Sequence, residues 1–455
     1  MIESGGRGRR QAGVVELFPM SFLTGLHQKS DRWLASKFFR LLDISLCLLV
    51  LALFLGASTL PPGDRTESVR AFTRNIEFDY VGWTLNALWV KLNQLALGSE
   101  NYLTSNARHQ TVLEYLTLVT QIQQGEDRLS EIYGDPNVTD KQATAQPLRK
   151  HLDDLRSQRD RLAPVAEAIL QSQVSDVVSS LGLTLGGQPV PPVLYHSTSP
   201  PWALIVSPRN VIRQDQDISL LPDTTVDKQA ALEEQVDSAL KVSSLVVGIG
   251  GIGVYPTMVD ETNDLDWLSE VVSHEWTHNF LELRPLGVSY LSSPQLRIIN
   301  ETTASIAGKE IGRAVLERYY PELVPPPPPP AVQPSVQPLK PPAPPRFDFN
   351  QEMHETRVNV DKLLAEGKID EAEQYMEARR VEFWNHGYHF LRKLNQAYFA
   401  FYGAYADQPG GAAGEDPVGA AVRALRAQSS SLSEFLNRIS WMSSFEQLQK
   451  AVEGK

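Results

Sequence analysis

Residues 271–283 read VVSHEWTHNFLEL. Within this apolar stretch His274 and His278 stand four apart, and Glu275 directly follows the first. On an α-helix, positions i and i+4 lie one above the other on the same face, so both imidazoles can point at a single ion. Glu275 is displaced by about 100° around the axis, where a carboxylate need not bind the ion and can reach a water beside it. The pattern therefore offers two zinc ligands and one general base. Val271, Val272, Phe280 and Leu281 predict a largely buried helix over 264–283, closed by Arg284-Pro285. Buried histidines need partners.

A zinc ion that does catalysis takes three protein ligands and keeps one position open. Glu301 is the best third ligand, 23 residues after His278 and directly after Asn300, at the start of a second predicted helix over 300–320. Ala304, Ser305, Ala307, Gly308 and Gly312 keep that helix slim, so it can approach the first closely. Glu310 is the runner-up ligand.

His-Glu-x-x-His followed on a second helix by Asn-Glu resembles the gluzincin metallopeptidases, the thermolysin-like and aminopeptidase-like clan. The resemblance covers residues 230–320, and 350–406 by architecture only. It implies Zn2+ held by His274, His278 and Glu301, with Glu275 as the base that activates a water for peptide-bond hydrolysis. It implies an edge strand ahead of the active-site helix that holds the substrate backbone, a place occupied here by GIGGIGVYPTMV, residues 248–259. It also implies a Tyr or His that stabilises the carbonyl oxygen, supplied by the helical region after the third ligand. That region offers Tyr388, His389, Tyr398, Tyr402 and Tyr405. Asn395, Tyr398, Tyr402 and Tyr405 lie at three- and four-residue spacing, so one helix face presents them together, and Tyr398, then Tyr402, are the expected catalytic tyrosines.

The rest of the chain sets the context. With 455 residues, more than one folded unit is expected. A net charge of −12 disfavours a nucleic-acid partner. The lone cysteine, Cys47, excludes a disulfide framework within the chain. Residues 41–60, LLDISLCLLVLALFLGASTL, carry one charge and are long enough to cross a bilayer core of about 30 Å. The basic excess before them predicts a cytoplasmic segment 1–40, a single-pass anchor 41–60 and an extracytoplasmic remainder in the cell membrane.

Apolar residues at three- and four-residue spacing predict a helical ectodomain over 61–175. β-Branched and aromatic clusters punctuated by prolines after Gly182 predict short strands, followed by a helix over 226–241. The expected class is α+β, with a zincin-like catalytic subdomain at 176–320. Thirteen of the 31 prolines fall in 321–345, so 321–347 reads as an extended linker. A helical catalytic subdomain over 348–407 and a Gly/Ala-rich break with a helical tail over 408–455 complete the chain. The alternative is an anchored, non-catalytic scaffold with a structural or vestigial zinc site. A structural site normally closes its fourth position with Cys or His, and none stands nearby.

Overall fold

Helices come first in the computed structural model, which describes residues 44–45, 65–134, 140–324, 347–407 and 411–454. They are α1 (Arg65–Thr73), α2 (Tyr80–Leu97), α3 (Ser105–Gly134) and α4 (Lys141–Ser180). Short strands come next, β1 (Thr184–Leu185), β2 (Gln188–Pro189), β3 (Tyr195–Ser197), β4 (Trp202–Pro208) and β5 (Gln216–Leu220). After α5 (Val226–Leu240) come β6 (Val242–Val247), β7 (Gly251–Ile252) and β8 (Thr257–Val259). The remainder is helical: α6 (Leu265–Glu282), α7 (Pro285–Val288), α8 (Pro294–Tyr319), α9 (Phe349–Ala365), α10 (Ile369–Asn385), α11 (Gln396–Tyr402), α12 (Pro417–Gln428), α13 (Leu432–Ile439) and α14 (Phe445–Glu453). The class is α+β. Met1–Glu67 and Ser68–Lys455 are separate units, and the sheets and cores of the described residues lie in the second.

The largest sheet is antiparallel, in the order β5-β4-β6, with Leu204 opposite Ile218 and Ile205 opposite Leu245. Side chains alternate across a strand, and both faces of β4 are apolar, so the sheet serves two cores. Ala203, Ile205, Leu245 and Val247 pack with Met353, Phe383, Tyr398 and Phe399 from α9 to α11. Leu204, Val206, Ile218 and Val246 pack with Leu232 and Val236 of α5 and Val69 of α1. A second small sheet has the order β3-β8-β7, parallel between β3 and β8 and antiparallel between β8 and β7. That order leaves β7 at an edge.

The third core is helical. Trp276, Phe280 and Leu281 of α6 and Ile299, Ile311 and Val315 of α8 are buried with Val112 and Tyr115 of α3 and Ile169 and Val174 of α4. Val422 of α12, Phe435 of α13 and Leu448 of α14 join the same cluster. Each such side chain contributes roughly 1.5–3 kcal/mol by leaving water. Helices α3 and α4 and the C-terminal segment are thus parts of the scaffold that carries α6 and α8.

Local signals start both of these helices. Asp264 caps α6 by accepting from the Asp266 and Trp267 amides, and Ser293 caps α8 by accepting from Leu296, with Pro294 in the first turn. The two then pack at unusually close range. A Cβ on Gly308 would lie 2.9 Å from Glu270 O and from His274 Cβ, and one on Gly312 would lie 2.7 Å from Glu270 N. Only glycine fits at either position.

The expected single-pass membrane placement is corrected. No helix among the described residues is long and apolar enough to cross a membrane. The stretch 41–60 itself lies outside the described residues, apart from Ile44 and Ser45, as do segment 1–40 and residues 325–346 of the proline-rich linker.

Candidate metal centre

His274 and His278 project from successive turns of α6, and Glu301 reaches them from α8. Their ligand atoms converge within 4.8 Å of one another. The two Nε2 atoms are 3.0 Å apart, and Glu301 Oε2 lies 3.6 Å from that of His274 and 3.4 Å from that of His278. Two features mark this cluster as one that could hold a metal ion. Glu301 Oε2 is buried and has no hydrogen-bond partner, although such groups are normally satisfied. The donor set of two imidazoles and a carboxylate is also that of a catalytic zinc site with one position open.

Neighbouring residues hold these ligands in place. His278 Nδ1 lies 2.7 Å from Asn300 Oδ1. An amide oxygen can only accept, so Nδ1 carries a proton and Nε2 is the ring atom that faces the centre. The Tyr290 hydroxyl donates to Glu301 Oε1 and leaves Oε2 facing the two imidazoles. Arg297, one turn before Glu301, is 8 % exposed and donates through Nη1 to Ala400 O at 3.0 Å. Glu310, the alternative ligand, is turned away and forms a two-pronged pair with Arg426 at 2.7 and 2.8 Å.

Without an ion the centre favours a proton in its place. Burial works against a charge on His278, yet the Glu301 carboxylate, with Glu275 and Asn300, raises it to about 9. Burial also works to raise Glu301, but His278, His274 and Arg297 hold its carboxyl well below the usual carboxylate range. A metal ligand must be a neutral imidazole, so loading expels the His278 proton. Zinc affinity is therefore expected to rise about tenfold per pH unit from neutrality to about pH 9, then level off. Competition with a chromophoric chelator measures this, and a flat profile across that window contradicts a proton held between His278 and Glu301.

Glu275 lies beside the ligands. It is 7 % exposed, and burial raises its carboxyl, an effect partly offset by His274 and His278. Strand β7 and the residue after it run directly past it. A Cβ on Gly251 would come within 2.9 Å of Glu275 Oε1, and one on Gly253 within 3.0 Å of His278 Cβ. The glycines bring this edge strand to the centre. The resulting cleft, about 570 Å³, is lined by β7, by all four motif residues and by Tyr80, Asp217, Tyr290, Arg297 and Tyr405.

Tyr398 and Tyr402 do not line this cleft. Tyr398 is buried in the core between the main sheet and α9, with its ring 4.5 Å from that of Tyr402. The helix expected to align them with Tyr405 ends at Tyr402, where Gly403 caps it. Beyond the cap the chain changes direction, and Tyr405 alone of these tyrosines reaches the site, with its ring 6.2 Å from that of His274. Tyr290 and Arg297 were not anticipated from sequence. The one available signal for Arg297 is its position four residues before Glu301, on the same helix face.

No known protein family, curated protein or solved structure matches the chain.

Proposed function

We propose that the protein is a zinc-dependent peptidase of gluzincin type that hydrolyses peptide bonds in the cleft between β7 and α6. The observation that carries this reading is the buried Glu301 Oε2, without a hydrogen-bond partner, facing two imidazole nitrogens, with a fourth protein group, Glu275, beside them and not among them. Zinc held there supplies Lewis acidity, which lowers the pKa of a coordinated water toward about 7 and polarises a carbonyl.

The chain's own residues do the rest. Glu275 takes the proton of the attacking water and delivers it to the departing amine, a task suited to a buried carboxyl whose pKa is raised. Tyr405, at the cleft wall near His274, is placed to donate to the carbonyl oxygen as negative charge develops. Tyr290 and Asn300 fix the orientation of Glu301 and His278. The edge strand β7 offers backbone groups to an extended peptide.

The test is metal analysis of the purified chain combined with digestion of a mixed peptide library. The expected result is about one zinc per chain, with cleavage that stops on chelation and returns with zinc. Absence of bound zinc, or cleavage indifferent to chelation, overturns the reading.

A further inference from the structure

Helix α2 is amphipathic the wrong way round. Its inward face carries Ala87, Lys91 and Gln94, all buried. Lys91 Nζ donates to Glu167 Oε2 at 2.5 Å, and Gln94 Nε2 donates to Pro164 O at 2.9 Å, so polar bonds tie α2 to α4. Its outward face is apolar. Val81, Leu85, Trp89, Leu92 and Leu95 are each at least 60 % exposed. No other element among the described residues covers these leucines, so a monomer that hides its lysine and presents them outward has an unmet partner on that face.

We propose that this face of α2 pairs with the same face of a second copy of the chain. The spacing favours a helix as the partner. Val81, Leu85, Leu88, Leu92 and Leu95 follow a 4-3-4-3 rhythm, the repeat that sets side chains of one helix into the gaps of another. The seam is short, about 27 Å for 18 residues at 1.5 Å each. It needs no longer run, because α2 is already fixed by α4 and does not have to fold on association. The charges point the same way. Lys91 is the sole charged residue of α2 and is neutralised inside. Two copies therefore meet without like charges opposed, despite the net charge of −12 on each chain. A lipid surface would call for cations along the flanks of the apolar stripe, and α2 has none. One helix face per copy is at the low end of interface size, so the dimer should dissociate on dilution.

The test is sedimentation of the full chain beside the Leu85→Lys/Leu92→Lys variant, with fold checked by circular dichroism. Both positions are exposed, so the variant should fold normally. The expected result is a concentration-dependent dimer for the wild type and a monomer for the variant. In a Cys47→Ser background, Leu88→Cys at the centre of the seam should form an intermolecular disulfide on mild oxidation. A wild-type monomer at tens of micromolar, or equal self-association of both proteins, overturns the proposal. So does a wild-type monomer that binds phosphatidylcholine/phosphatidylglycerol vesicles through these leucines, which would make lipid the occupant. So too does a monomer in which Leu88→Cys pairs with a retained Cys47.

Discussion

Glu275→Gln is expected to bind zinc as the wild type does, to fold as the wild type does, and to lose peptide hydrolysis. Removal of a general base typically costs about 10²–10⁴-fold in rate, and more where the same group also protonates the leaving amine. Three observations separate Glu275 from the ligand set. Among the described residues, the convergent ligand atoms belong to His274, His278 and Glu301 and not to Glu275. The Glu275 side chain instead packs under Gly251 and Gly253 at the wall where a peptide would lie. Burial raises its carboxyl, which brings a base closer to the working pH than an exposed glutamate would be. Gln has nearly the same shape, so the packing under β7 survives. A site that merely held zinc for structure would be indifferent to the change. Single-turnover cleavage of a library-derived peptide, with zinc content measured on the same samples, decides the matter. Cleavage by the variant at the wild-type rate would remove Glu275 from the mechanism, and loss of zinc would make it a ligand.

The geometry of this candidate centre is legible in sequence because much of it is local. His274, Glu275 and His278 lie within two turns of one helix, where spacing alone dictates geometry. Glu301 needed one tertiary assumption, that two helices pack closely, and the small residues around it already signalled that. What could not be read is what depends on where the chain turns. Tyr405 reaches the cleft because α11 stops at Gly403, and a helix end inside an aromatic run has no periodic signature. Tyr290 sits on the connection between the ligand helices, where spacing carries no information about direction. The main sheet shows a similar limit. Residues 202–208 read as an apolar strand, but only the structure shows that alternate residues serve separate cores. Helix α2 shows another limit, since periodicity identifies an apolar face and does not say whether that face is covered.

Gly308→Ala combined with Gly312→Ala is expected to damage both stability and the metal centre. Added methyl groups at exposed helical positions would help, by up to about 1 kcal/mol each, because glycine is a poor helix former. Here the opposing contact is stronger. At Gly312 the new Cβ would meet Glu270 N at 2.7 Å, Glu270 Cα at 2.9 Å and Ser269 C at 3.0 Å. All three are backbone atoms of α6, which cannot rotate aside as a side chain can. At Gly308 the contacts are Glu270 O and His274 Cβ, both at 2.9 Å. Overpacking of this kind costs about 1–3 kcal/mol per site, so a net loss of about 2 kcal/mol remains for the pair after the gain in helix propensity. The relief available is separation of α8 from α6, and that moves Glu301 away from the two histidines. Its Oε2 now lies 3.4 and 3.6 Å from their nitrogens, with little slack before coordination by all three residues is lost. Zinc affinity should therefore fall by at least about tenfold in the molecules that remain folded, the scale on which supporting residues act at metal sites. Denaturant titration of the zinc-free protein reads the first effect, and chelator competition at low denaturant reads the second. Wild-type stability together with wild-type zinc affinity would show that the close approach of the two helices is not what delivers Glu301 to the site.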